Sequence, residues 1–95
     1  MSITGQVIYN AYSFNDSDLV VFAVGLNPTP GYTNELVKIK QGYQLVSTPP
    51  SGPVPQVITM FHTSAKFDEG GNMRSITIQD ATGKHQVQVT PLKLD

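Results

Sequence analysis

The sequence predicts an all-β domain, and three observations carry that prediction. Val, Ile, Thr, Tyr and Phe fill the periodic stretches, and these residue types suit a pleated, half-buried surface. No long window keeps apolar residues at helical spacing without Gly or Pro intruding. Turn-forming residues recur at roughly 8–12-residue intervals, the rhythm of short antiparallel strands.

Breaking the chain at those turn signals gives seven strands. The first runs over 6–14 and ends at Asn15-Asp16-Ser17-Asp18, whose short polar side chains bond local backbone. The second runs over 19–25. Its stretch Leu19-Val20-Val21-Phe22-Ala23-Val24 is almost continuously apolar, which predicts a central strand covered on both faces. Asn27-Pro28-Thr29-Pro30-Gly31 interrupts it. The third strand covers 32–40, with Leu36 facing one way and Val37 and Ile39 the other, and Gln41-Gly42 turns the chain. The fourth covers 43–47. Proline has no N–H to donate to a ladder, so the four prolines of 49–55 mark an extended loop. A long fifth strand spans 56–67 and Glu69-Gly70-Gly71-Asn72 turns. The sixth covers 73–79, Asp80-Ala81-Thr82-Gly83 is a hairpin connection, and the seventh covers 84–92. In the last hairpin, Ser75, Thr77, Gln86 and Gln88 share one face, which reads as open to solvent. Seven such strands in 95 residues fit one domain with an immunoglobulin-like β-sandwich, with a small β-barrel as the alternative.

Composition narrows function. A chain of 95 residues is one domain and has no room for a cofactor crevice plus a substrate domain. Net charge is −1, and the one local basic pair, Lys38 and Lys40, sits on a single strand face. Nucleic acid is therefore not expected as a partner, because its binding rests on many phosphate contacts. The absence of cysteine excludes a thiol nucleophile, disulfides and thiolate metal sites, and leaves the compartment open. No apolar run approaches the ~20 residues of a membrane helix. Met1–Gly5 shows neither the basic nor the apolar region of a signal peptide.

Chemistry-bearing residues are sparse. His62 and His85 lack metal-ligand spacing, and each is expected to bond a neighbour instead. No nucleophile elbow is present, and Gly70-Gly71 precedes a strand rather than a helix, so it is not a phosphate cradle. Asn15-Asp16-Ser17 matches the glycosylation sequon, a three-residue pattern of low specificity. No catalysis and no cofactor are expected.

One loop departs from generic turn chemistry. In Asn27-Pro28-Thr29-Pro30-Gly31-Tyr32 the two prolines fix φ and restrict the residues before them, while Gly31 permits a sharp return. The expected result is a stiff protrusion with Thr29 at its tip, a shape that loses little entropy on binding. These six residues resemble the N-P-T-T-G-Y/F loop of chagasin-type cysteine protease inhibitors, with Pro30 at the fourth position. That resemblance implies a sandwich that inserts three loops from one end into a protease cleft. The corresponding connections here are 27–31, 50–55 and 80–84; the second and third lack that family's glycine-rich and Arg-Pro-Trp elements. Leu19–Gly31 also resembles the C-terminal domain of protease-complex accessory lipoproteins of the PrcB type, which continues into a Pro/Gly loop and a strand like Gln56-Val57.

The expected function is a non-catalytic protein-binding module, with a protease or protease complex as partner. Its contact residues would be Asn27, Pro28, Thr29, Pro30, Gly31 and Tyr32, assisted by Ser51, Gly52, Thr82 and Gly83. Two alternatives stay open. One is an assembly module joined through an edge strand, and the other is a carbohydrate or small-ligand binder using Tyr9, Tyr12 and Tyr43.

Overall fold

The computed structural model describes residues 5–14, 17–69 and 73–92. Seven strands form: β1 (Ile8–Phe14), β2 (Asp18–Asn27), β3 (Thr33–Ile39), β4 (Gly42–Thr48), β5 (Thr59–Phe67), β6 (Ser75–Asp80) and β7 (Gly83–Leu92). The all-β expectation holds, and each expected strand is present with its ends moved by up to three residues. The largest move is in β5, which starts at Thr59 because Pro53 and Pro55 keep the preceding segment out of a ladder. The turn residues Asn15-Asp16 and Gly70-Gly71-Asn72, and with them the sequon, lie outside the described residues.

The strands hydrogen-bond in the single order β3-β4-β6-β7-β1-β2-β5, and β5 comes back beside β3. The sheet is thus nearly closed like a barrel, the alternative architecture, while remaining partly compatible with a sandwich of two halves that share β7. Three hairpins are antiparallel (β1/β2, β3/β4, β6/β7) and β2/β5 is antiparallel across a longer gap. Two pairings are parallel. β1 meets β7 over Ala11–Phe14 and Val89–Leu92, and β4 meets β6 at Tyr43/Ile78 and Gln44/Gln79. β3 and β5, the two ends of this order, lie close together, but no ladder joins them among the described residues.

One core fills the curled sheet. Leu19, Val21, Ala23 and Ile78 are fully buried, and Ala11, Leu36, Tyr43, Leu45, Phe61, Ile76 and Val89 surround them. Tyr43 on β4 and Phe67 on β5 touch across the interior with ring centroids 4.7 Å apart. In β2 burial alternates strictly from Leu19 to Asn27. This corrects the expectation that β2 is covered on both faces. Leu19, Val21 and Ala23 point inward, but Phe22, Val24 and Leu26 point out, because a curled single sheet has no second layer to cover its outer surface.

The tight β3/β4 turn depends on Gly42. Its φ is +140°, and an added Cβ would lie 2.6 Å from the backbone oxygen of Thr77 on β6. Gly42→Ala is expected to lower unfolding free energy by more than about 2 kcal/mol in urea titration, from backbone strain plus a displaced β6. Gly52→Ala, where nothing lies within 4 Å, serves as control and should change stability by less than about 0.5 kcal/mol.

Candidate functional site

Strand register places the 28–32, 49–58 and 81–82 connections at one end of the molecule. There the β2 terminus faces the β5 start (Asn27/Thr59), the β3 start faces the β4 terminus (Thr33/Thr48), and β6 turns into β7 (Asp80/Gly83). The proline-rich segments pack on each other. Gly31, with φ +88°, approaches Pro50 so closely that a Cβ would sit 2.9 Å from its ring, with Val54 next to it. The segment is stiff, but it is not a finger with Thr29 at its tip. Thr29 is 8% exposed and its hydroxyl donates to the Pro30 carbonyl at 3.1 Å. Asn27 is 3% exposed and belongs to β2. Its carboxamide exchanges hydrogen bonds with Asn34 of β3, the better one donated by Asn34 Nδ2 at 2.9 Å, and Ser47 Oγ of β4 donates to Asn34 Oδ1 at 2.6 Å. Asn27 therefore ties the two halves of the sheet, and the surface of this loop is left to Pro28, Pro30, Gly31 and Tyr32. Ser51, Gly52, Thr82 and Gly83 are exposed at the same end.

The outer face beside these loops is apolar. Ile8 on β1 stands opposite Val24, and Leu26 stands opposite Met60 on β5. All four are exposed, Met60 by 70% and Ile8 by 64%, and Val57 and Ile58 extend the surface ahead of β5. Phe22 adds its ring further along, edge-on to Tyr12 at 6.0 Å. His62 of β5 stands opposite Val24 on the same face and borders the strip of Ile8, Val24, Leu26 and Met60. The Lys66–Asp18 pair, at 3.8 Å, lies at the opposite end of β2 and β5.

A second feature joins residues far apart in sequence. The Asp80 side chain is wholly inaccessible to solvent. Its Oδ1 accepts from the Thr82 backbone N–H (2.8 Å), the Thr82 hydroxyl (2.6 Å) and His85 Nε2 (3.0 Å), while Oδ2 accepts from the Tyr9 hydroxyl. A carboxylate at the hairpin start that bonds the backbone two residues on is the local chemistry that makes Asp80-Ala81-Thr82-Gly83 turn. Burial alone would favour the neutral acid, but the hydrogen bonds from Thr82, Tyr9 and His85 outweigh it, so Asp80 titrates below the ordinary aspartate range. Tyr9 is held well above the ordinary tyrosine range by burial, by its bond to Asp80 and by that group's charge, and so remains a neutral donor. His85 bonds neighbours as expected. Asp80 and Thr82 meet the same ring nitrogen, whereas a triad places its acid and its nucleophile on opposite nitrogens. The Asp80 cluster is thus a strut. His62 sits on the outer face of β5, with β1 and β2 between it and β7, so the two histidines do not converge.

Between β1 and β7 the sheet carries a groove of about 520 Å³, floored by Val7, Tyr9 and Val87 and walled by Asn10, Gln86 and Gln88. At the opposite end of the molecule, Tyr43 donates to Glu69, and Lys38 lies 3.4 Å from Glu69 and 5.0 Å from the Tyr43 ring centroid. Among the described residues no group of three His, Asp or Glu side chains forms a metal site, and no helix is long and apolar enough to cross a membrane. No family model, curated protein or solved structure matches this chain.

Sequence reasoning missed Asp80 as the hub of this network and the apolar outer face. A signal for the face was present in the unbroken apolar run 19–24. None existed for the Tyr9–Asp80 contact, whose partners are 71 residues apart.

A carboxyl held below its unfolded pKa stabilises the fold above that value, and the stabilisation disappears as pH falls through the folded one. Asp80→Asn should therefore cost about 1–3 kcal/mol at pH 7 and flatten the acid limb below about pH 4. Urea titrations of both proteins from pH 7 to pH 2 measure this. A residual slope is expected in the variant, because Glu69 is also lowered, by its bond to Tyr43 and then by Lys38.

Proposed function

We propose that this domain is a non-catalytic protein-binding module whose contact surface is the proline-built end together with the apolar outer face of β1, β2 and β5. The reading rests on the exposed pairs Ile8/Val24 and Leu26/Met60, continued by Val57 and Ile58. Contiguous apolar surface rimmed by polar residues costs solubility and is kept where another molecule covers it. Pro28, Pro30, Gly31 and Tyr32 with Ser51 and Gly52 form the rim, which proline and mutual packing hold in shape before binding, so little ordering entropy is lost. A cysteine protease is the partner class to test first, on the resemblance of the Asn27–Tyr32 loop to the first inhibitory loop of chagasin-type proteins. With Thr29 turned inward, that loop would engage a cleft through its backbone at Pro30-Gly31 and through Tyr32.

Titrating a papain-type protease with the wild-type domain should slow peptide hydrolysis. The double variant Leu26→Gln/Met60→Gln should be at least tenfold weaker while its unfolding midpoint stays close to wild type, since outward-facing substitutions typically cost less than about 0.5 kcal/mol each. Unchanged turnover at high micromolar wild-type protein removes the protease as partner. A stability loss above about 2 kcal/mol in the double variant would show instead that this face serves the fold.

A further inference from the structure

No Lys, Arg, Asp or Glu side chain lines the groove between β1 and β7. The groove follows the seam of the two strands, over the ladder at Tyr12 and Thr90 and on toward the β6/β7 hairpin as far as Val7 and His85. Its volume of about 520 Å³ falls within the roughly 300–1,000 Å³ of small-ligand sites. Alternation puts Gln86, Gln88 and Thr90 in one outward row of β7, about 13 Å from first to last. The parallel register sets Tyr12 of β1 beside Thr90. Asn10 and Gln88 are exposed, and their carboxamides make no hydrogen bond among the described residues. Gln86 uses only its Nε2, in a 3.2 Å bond to Thr77. The aromatic part of the lining is fixed in place. The Tyr9 hydroxyl donates to Asp80 and its ring lies 5.9 Å from that of His85, while Tyr12 packs edge-on to Phe22. Tyr43, by contrast, is buried in the core and lies outside the groove.

We infer that this groove is a binding site for a neutral oligosaccharide. A sugar hydroxyl both donates and accepts, and so does a carboxamide, so Asn10, Gln86 and Gln88 match a polyol that carries no charge. The C–H face of a sugar ring is apolar and packs on an aromatic surface, which Tyr9 and Tyr12 offer. Both rings are already held by Asp80 and Phe22, so little ordering entropy is lost when a ligand arrives. The row on β7 is long enough to touch consecutive sugar units, so a chain binds more tightly than a single ring. An acidic sugar finds no cation in the lining to compensate its lost hydration. The Asp80 carboxylate, bonded to Tyr9 and His85 of the lining, repels an anion further.

The test is an amide NMR titration of the isotope-labelled domain with maltohexaose, cellohexaose, xylohexaose, mannohexaose and chitohexaose, and with hexagalacturonate as the acidic counterpart. At least one neutral hexasaccharide should shift residues 9–12 and 86–90 at millimolar concentration. Hexagalacturonate, and the monosaccharide of the chain that binds, should each be at least tenfold weaker. Asn10→Ala/Gln88→Ala, which removes the two unengaged carboxamides from exposed positions, should weaken binding at least tenfold while resonances of β3 and β4 keep their places. Leu26→Gln/Met60→Gln, directed at the apolar strip, should bind the sugar as wild type does, so failure here and failure of the protein-binding reading above are distinguishable. No shift with any neutral hexasaccharide at millimolar concentration, equal binding of hexagalacturonate, or undiminished binding to the Asn10→Ala/Gln88→Ala variant would each overturn the inference. So would the blocked peptide acetyl-Val-Gln-Val-Thr-Val-amide shifting the same amides where no sugar does, since the groove would then be a peptide site.

Discussion

Each strand of a curled sheet can hide only every second side chain, and in this molecule that constraint governs everything else. The interior admits one layer of Leu, Val, Ile, Ala, Tyr and Phe, drawn from all seven strands. Among the described residues no helix or second sheet lies over the outer surface. Burying the inner set is the main favourable term of the fold. The residues left outside are then free to be chosen for solubility or for contact, and on β6 and β7 they are Ser, Thr and Gln, while on β2 and the start of β5 they are Phe, Val, Leu and Met. The two halves of one continuous surface thus differ in chemistry although the same strand geometry produces both.

Polar groups complete what the apolar core leaves open, and they do so at the margins. At the proline-rich end, Asn27, Asn34 and Ser47 link β2, β3 and β4. At the β6/β7 hairpin, Asp80 collects Thr82, His85 and Tyr9. At the other end, Tyr43 and Lys38 converge on Glu69. The first joins consecutive strands and the other two reach across the sequence, and in each the buried oxygen or phenol is matched by a partner, so the cost of removing it from water is recovered as a hydrogen bond. These ties confine the places where the barrel could open: among the described residues the β1/β7 ladder covers four pairs, the β4/β6 ladder two, and β3 meets β5 without one.

Much of the fold was legible in the sequence because its punctuation is local. Gln41-Gly42, Asp80 through Gly83 and the proline clusters act on their own backbone, so the strands between them could be bounded. The orientation of Ser75, Thr77, Gln86 and Gln88 followed from alternation alone. Closure into a near-barrel was not legible, because the β1/β7 and β4/β6 pairings join segments with no turn between them. Asn27 was read as loop for want of one step. Pro28 pushes the residue before it into extended geometry, which is as compatible with a last strand residue as with a loop. The prolines beside Thr29 restrict its backbone but do not fix where its side chain points, and it turns inward while the neighbouring Gly31 packs on Pro50 and Val54 from a different connection. The Leu19–Val24 run puts apolar residues on both faces of β2, but only the inward set is covered, so an unbroken apolar run does not require two buried faces.

The pairing of Ala11 with Val89 also has a consequence in time. The first strand of the domain acquires one of its two neighbours only from the last, so that edge of β1 is completed only when β7 is available. Completing the sheet requires closing a loop of nearly the full domain length, and such non-local pairings are characteristic of the slower, high-contact-order topologies. In that interval the same outward valines and leucines that characterise β2 are accompanied by unpaired strand edges, and the cell's holding chaperones would be the first proteins to meet them.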